Sequence, residues 1–218
     1  MKIFYISGLG ADETVFQFLS IKDTMPVFIP WLKPFQNESL EDYAIRLKEN
    51  YIPDKAIIIG MSFGGMLATE IAKKYPGILS ILISSVKTKD EFPQIYNVGK
   101  YLPLYKYVSP GMQKWIMHHL SGFFGAHQKP AKEIYQKIIM HSDTAFNSWA
   151  FDSIIKWKNH FEPINSINIH GTADKIIPHK KVHWDYEIKG GSHLMVINQA
   201  DEISALIHQI IFDHYKDA

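Results

Sequence analysis

Gly60-Met61-Ser62-Phe63-Gly64-Gly65 stands between an apolar run and a segment of helical period, and its reading decides the fold. The residues before it, Ala56-Ile57-Ile58-Ile59, are short, β-branched and wholly apolar, as expected of a strand covered on both faces of a parallel sheet. After it, apolar side chains at 67, 68, 71, 72 and 75 form a helical stripe that Pro76-Gly77 stops. A strand that turns directly into a helix leaves almost no loop, so the residue at the bend takes a strained conformation among neighbours without side chains. Gly60, Gly64 and Gly65 meet that need and leave Ser62 at the bend. Its hydroxyl would stand above the sheet edge, where the N–H groups of the new helix favour negative charge.

Outward from this stretch, the rest of the chain supplies the expected partners of such a bend. Lys2–Ser7 reads as a first buried strand, left through Gly8-Leu9-Gly10-Ala11-Asp12. Residues 12–19 suit a short helix with Asp12 or Thr14 near its cap, and Val27–Pro30 a second strand. A helix capped by Asn37 or Ser39 runs to about Glu49 on the apolar face Leu40, Tyr43, Ala44 and Leu47. Leu79–Ile83 follows the Ser62 helix as another buried strand. Strands alternating with helices imply a parallel sheet with helices on both faces, and sites in such sheets lie at the carboxyl ends of strands. Ser62 and the Gly8-Leu9-Gly10 loop share that end.

Alternation stops from about Lys87 to Phe161, a helical segment dense in aromatics (Phe92, Tyr96, Tyr101, Tyr105, Tyr107, Trp115, Phe123, Phe124, Tyr135, Phe146, Trp149, Phe151, Trp157) and broken at Pro93, Pro103, Pro110-Gly111, Gly122, Gly125 and Pro130. Inserted at the carboxyl end of the sheet, it would cap the site and supply an apolar pocket. The expected organisation is therefore a core of residues 1–86 and 162–218 with a cap of 87–161. Strand character returns at Pro163–His170, with Ile164, Ile167 and Ile169 as its expected buried positions, followed by the loop Gly171-Thr172-Ala173-Asp174 and a helix expected near Pro178. Tyr186–Ile188 reads as a last strand, ending in Gly190-Gly191-Ser192-His193, and residues 199–215 as an amphipathic final helix.

A serine hydroxyl is a weak nucleophile near neutrality and needs a base in reach, itself oriented by a carboxylate. Asp174 and His193 each follow a strand onto the edge that carries Ser62. Asp185 and Asp201 lie outside strand-end loops and Asp152 within the expected cap, so Asp174 is the better orienter. His179 and His183 have helix-face spacing without an H-E-x-x-H pattern, and His118-His119 is no stronger, so no metal site and no cofactor are expected.

With Gly60–Gly65, His170-Gly171-Thr172-Ala173-Asp174 and Gly191-Ser192-His193 in the order Ser, Asp, His, the chain resembles the α/β-hydrolase superfamily over nearly all of its length outside the cap. The resemblance implies a three-layer α/β fold with a mostly parallel sheet and an inserted helical cap. Starting at what would be the third of the usual eight strands, the chain is expected to form about six. It further implies Ser62 as nucleophile, His193 as general base and then acid, Asp174 as orienter, and the backbone N–H groups of Leu9 and Phe63 as an oxyanion hole, each donor lowering the barrier by about 3 kcal/mol. The first loop departs from the family, since it begins Ser7-Gly8 where His-Gly is common.

Composition narrows the function classes. The 218 residues, 46% apolar and 21% charged, suit one globular domain with an insertion. A net charge of +1 without like-charge runs argues against nucleic acid and membrane-surface partners. Without cysteine there is no disulfide framework and no thiolate nucleophile. The opening Met1-Lys2-Ile3-Phe4-Tyr5-Ile6 is too short for a signal peptide and lacks a cleavage site, Asn37-Glu38-Ser39 reads as a polar turn, and no apolar run reaches a membrane span, so a cytoplasmic protein is expected. The expected activity is hydrolysis of a small-molecule carboxylic ester or thioester through an acyl-enzyme. The alternatives are a ligand-binding protein on the same fold, or a C–C hydrolase or acyltransferase.

Overall fold

A computed structural model describes residues 1–92, 108–127 and 129–216. Six parallel strands, β1 (Lys2–Ile6), β2 (Met25–Phe28), β3 (Ala56–Met61), β4 (Ile78–Ile83), β5 (Ser166–Gly171) and β6 (Tyr186–Ile188), form one sheet in the order β2-β1-β3-β4-β5-β6. The order reverses between β1 and β3, and such switch points are where open α/β sheets place their sites.

Alternate residues of the central strands feed two cores. On one face Phe4, Ile6, Ile58 and Leu82 pack with α1 (Leu40–Tyr51) and α2 (Phe63–Lys74). On the other, Ile3, Ile57, Ile59, Ile81 and Ile169 pack with the carboxyl-terminal helix through Ile203, Ile207, Ile210 and Ile211. The result is the expected three layers. Ser39 caps α1, its side chain accepting from the Asp42 N–H, and the anticipated face Leu40, Tyr43, Ala44 and Leu47 is buried.

Between β4 and β5 the chain forms α3 (Pro110–His119), α4 (Ser121–Phe124), α5 (Ala131–His141) and α6 (Thr144–Lys156), and after β6 it forms α7 (Met195–Asn198) and α8 (Ala200–Lys216). Pro93, Tyr96, Tyr101, Pro103, Tyr105 and Tyr107, which the sequence reading includes in the aromatic segment, lie outside the described residues. No helix among the described residues is long and apolar enough to cross a membrane.

Three local expectations are corrected. The second strand runs Met25–Phe28 rather than Val27–Pro30, in register with β1 from Lys2↔Met25; as an edge strand it tolerates Pro26. Ile164, expected to be buried, is fully exposed, because β5 begins two residues later at Ser166. As an interior strand β5 does not alternate: Asn168 and His170 are buried beside Ile169. No α-helix starts at Pro178. A single 3-10 turn, His179–Lys181, takes its place, because the chain must reach β6 at Tyr186 almost at once.

Candidate active site

Met61 ends β3 and Phe63 begins α2, leaving Ser62 alone to turn the chain. Its backbone adopts φ 51°, ψ −117°, a region that costs a non-glycine residue on the order of 1–3 kcal/mol and persists where the surroundings over-determine it. Here they do. The Ser62 N–H donates to Ile83 O at 2.9 Å, and its carbonyl accepts from Gly65 N at 2.9 Å and Ser85 Oγ at 2.6 Å. A Cβ on Gly64 would lie 2.2 Å from Ile6 O and 2.3 Å from Ser7 O, so α2 can start against the end of β1 only through glycine there. That approach brings the Ser7–Ala11 loop beside the bend, and Gly8 lies close enough that a Cβ would sit 3.5 Å from Ser62 Cβ.

Ser62 Oγ lies 3.0 Å from His193 Nε2, and His193 Nδ1 lies 2.8 Å from Asp174 Oδ2. Oδ1 of Asp174 accepts from the N–H groups of Ile176 and Ile177, both at 2.9 Å. Burial pushes the Asp174 carboxyl upward, but His193, by charge and hydrogen bond, and the Ile177 N–H outweigh it and hold the carboxyl below the usual carboxylate range, so it stays ionised. The 174–177 turn is fixed from below by His170, which is fully buried, kept neutral by that burial, and donates through Nε2 to Ile177 O at 2.9 Å.

Above Ser62 and His193 opens a cavity of about 400 Å³, with Gly8, Leu9 and Phe63 on its floor and walls drawn largely from α3 to α6. The N–H groups of Leu9 and Phe63 have no acceptor among the described residues. The structure thus brings all five residues singled out in the sequence to one edge: four line the cavity and Asp174 stands behind His193.

No family model and no curated protein matches the chain. Solved structures do. An epoxide hydrolase from Bacillus megaterium has a TM-score of 0.71 at 10% identity, over 96% of this chain and 93% of that one. A meta-cleavage product hydrolase from Pseudomonas fluorescens IP01 has 0.69 at 18% identity, over 98% and 91%. A thermophilic esterase from Thermogutta terrifontis has 0.68 at 15% identity, over 98% and 90%. The chain has the α/β-hydrolase fold.

Within this α/β-hydrolase fold His193 pairs with Asp174 and with none of the rival carboxylates. Asp185 pairs with Lys87 Nζ at 2.7 Å and accepts from Asn168 N, Asp152 pairs with Lys156, and Asp201 is exposed in the first turn of α8. Among the described residues no group of three or more His, Asp or Glu is arranged to hold a metal ion.

Two kinds of residue escaped sequence reasoning. One braces the α/β-hydrolase first loop: Ser7 Oγ and Trp31 Nε1 both donate to Ala11 O, each at 2.8 Å. Trp31 belongs to a connector whose sequence carries no sign of this role. The other reaches down from the inserted segment. Phe124 sets its ring edge-on to His193 with centroids 5.4 Å apart, and its carbonyl accepts from Leu194 N at 3.0 Å. Gly125, at φ 84°, passes so close to Ser192 that a Cβ would lie 2.1 Å from its Oγ. The break at Gly125 is visible in the sequence, but not the loop it presses against.

Proposed function

We propose that the protein is a serine hydrolase that cleaves a small-molecule carboxylic ester or thioester through an acyl-enzyme, with residues 87–161 as a cap over the core of 1–86 and 162–218. The observation that carries this reading is the unbroken chain from Ser62 Oγ through His193 to the ionised, buried Asp174, opening on a largely apolar cavity. Hydrolases among the structures with the same fold, including esterases, support the chemistry at the level of class.

Ser62 Oγ attacks the carbonyl carbon as His193 Nε2 takes its proton, and Asp174 stabilises the imidazolium through the Nδ1–H bond. Charge moves to the carbonyl oxygen, which the free N–H groups of Leu9 and Phe63 and the amino end of α2 receive. His193 returns the proton to the departing alcohol or thiol, leaving the acyl group on Ser62. Water then attacks that acyl carbon, gives its proton to His193, and the carboxylic acid leaves as Ser62 Oγ is reprotonated.

The test is turnover of p-nitrophenyl butanoate. Ser62→Ala should reduce it to the uncatalysed rate while the variant stays folded, and wild-type protein should be labelled at Ser62 by a fluorophosphonate. Unchanged turnover in Ser62→Ala overturns the assignment.

A further inference from the structure

Among the described residues lining the cavity above Ser62, every buried side-chain polar atom but one has a hydrogen-bond partner. Ser148 Oγ donates to Thr144 O and accepts from Gln113 Nε2, and Tyr135 OH donates to Met117 O. Asn147 is the exception. It is 7% exposed, lines the cavity from the first turn of α6, and its Oδ1 is buried with no hydrogen-bond partner. Its backbone is satisfied within the helix, Asn147 N donating to Asp143 O at 2.9 Å. A buried amide oxygen left unpaired is destabilising, and asparagine gives nothing back as a helix former. The place of this amide is informative: a Cβ on Gly10 would lie 3.1 Å from Oδ1 and 3.2 Å from Nδ2, so the amide rests on the loop that carries the Leu9 N–H.

We propose that Asn147 is a specificity-determining residue that hydrogen-bonds a hydroxyl on the bound ester within a few bonds of the scissile carbonyl, so that the preferred substrates are short hydroxy-substituted esters rather than plain alkanoates. The inference rests on the serine-hydrolase reading above. A hydroxyl both donates and accepts, so it satisfies the amide whichever way its oxygen and nitrogen are turned. The cavity's apolar walls take the remaining carbon chain, and a site built to meet a hydroxyl discriminates against the analogue that lacks it because its own polar group is then left unpaired.

The experiment compares kcat/KM for p-nitrophenyl butanoate with its 2- and 3-hydroxy analogues, and for ethyl butanoate with 2-hydroxyethyl butanoate, in wild type and Asn147→Leu. One hydroxylated ester is expected to exceed its plain partner by at least about tenfold in wild type, and that ratio to fall towards one in Asn147→Leu. Asn147→Leu, having lost an unpaired polar group, is expected to melt no lower than wild type. Ratios near one in wild type, or a ratio that survives in Asn147→Leu, overturn the proposal. Should Asn147→Leu fail to fold, Asn147→Ala takes its place; failure of both makes the amide structural and also overturns it. If wild type hydrolyses no ester, the hydrolase reading falls and binding decides alone. Methyl 3-hydroxybutanoate should then raise the Tm of Ser62→Ala more than methyl butanoate does, and not in Ser62→Ala/Asn147→Leu. Equal shifts, or none, overturn the assignment of Asn147.

Discussion

At the sheet edge, the backbone around Ser62 is held by close approach and hydrogen bonds from other elements: Ile83 and Ser85 from β4 and just beyond it, Ile6 and Ser7 pressing on Gly64. In the inserted segment the polar side chains beside the cavity bond to other parts of that segment, Ser148 to Thr144 O, Gln113 to Ser148 and Tyr135 to Met117 O, while Trp149 Nε1 to Glu38 O and Leu194 N to Phe124 O tie the segment to the core. The difference separates two tasks. Chemistry needs atoms fixed to a few tenths of an ångström, which backbone contact provides. A pocket wall needs volume and apolarity, which many side chains supply, so the wall can change what binds without disturbing the atoms that react.

The sharpest break of this contrast is at the edge itself. Asp174→Asn keeps the side chain's shape and its Oδ1 contacts to Ile176 and Ile177, but presents a donor to His193 Nδ1 and so favours the wrong imidazole tautomer. A fall in kcat of roughly 10⁴ is expected, with KM little changed. Loss of folding instead would show that the carboxylate is chiefly structural, and far-ultraviolet circular dichroism separates the two outcomes.

Gly125 tests where the two regions touch. Alanine there must adopt φ 84° and push Ser192 away, and Ser192 precedes His193. A displacement of about 1 Å at the base costs up to roughly a hundredfold in rate, so Gly125→Ala is expected to lower kcat/KM by ten- to a hundredfold for all esters alike. An effect confined to long acyl chains would mean that α4 only shapes the pocket.

Legibility in the sequence follows the same division. The bend, the two later loops and the six parallel strands are visible because each depends on local signals: glycines where backbones meet, β-branched runs, a carboxylate or imidazole just past a strand. Asn147, Phe124 and Trp31 are not, because their roles come from what tertiary packing sets opposite them. Ile164 misled for a related reason. Ile167 and Ile169 keep the period of a strand, but Ile164, three residues before Ile167, does not share their face, and β5 starts only at Ser166, leaving Ile164 in solvent.

Glu91 sits at the join, just after β4 hands the chain to the inserted segment. Its Oε1 accepts from Lys87 N at 3.1 Å and Thr88 N at 2.9 Å, while Oε2 is buried without a partner. Burial, with some help from Glu162, pushes its carboxyl up from 4.5 to about 7. A raised acid favours the folded state while protonated, so this stabilisation is complete below about pH 4.5 and is lost as pH rises to about 7, by roughly 3 kcal/mol. Glu91→Gln, neutral at every pH, should flatten that decline and be the more stable protein at pH 8. Urea unfolding at pH 5, 6, 7 and 8 checks it, and parallel curves for the two proteins would refute it.

The smallest expected effect lies in the first loop, where the sequence departs from the pattern of the superfamily it resembles. Ser7 stands in place of the histidine of that pattern, and its hydroxyl donates to Ala11 O, which also receives the Trp31 indole N–H; Ala11 N in turn donates to Gly8 O at 3.0 Å. The loop that offers the Leu9 N–H is therefore braced twice at one carbonyl. Ser7→Ala removes one brace and should cost about 1 kcal/mol of stability and only a few-fold in kcat. Trp31→Phe removes the other and loosens an aromatic cluster with Phe63 and Phe146, whose centroids lie 5.9 and 4.9 Å away. Because the two donors share one acceptor, the double variant should lose more kcat than the product of the single effects, since only then is Ala11 O left without either donor. Simple multiplicativity would show that the loop is held by its own turn, and that Ser7 and Trp31 add stability without positioning Leu9.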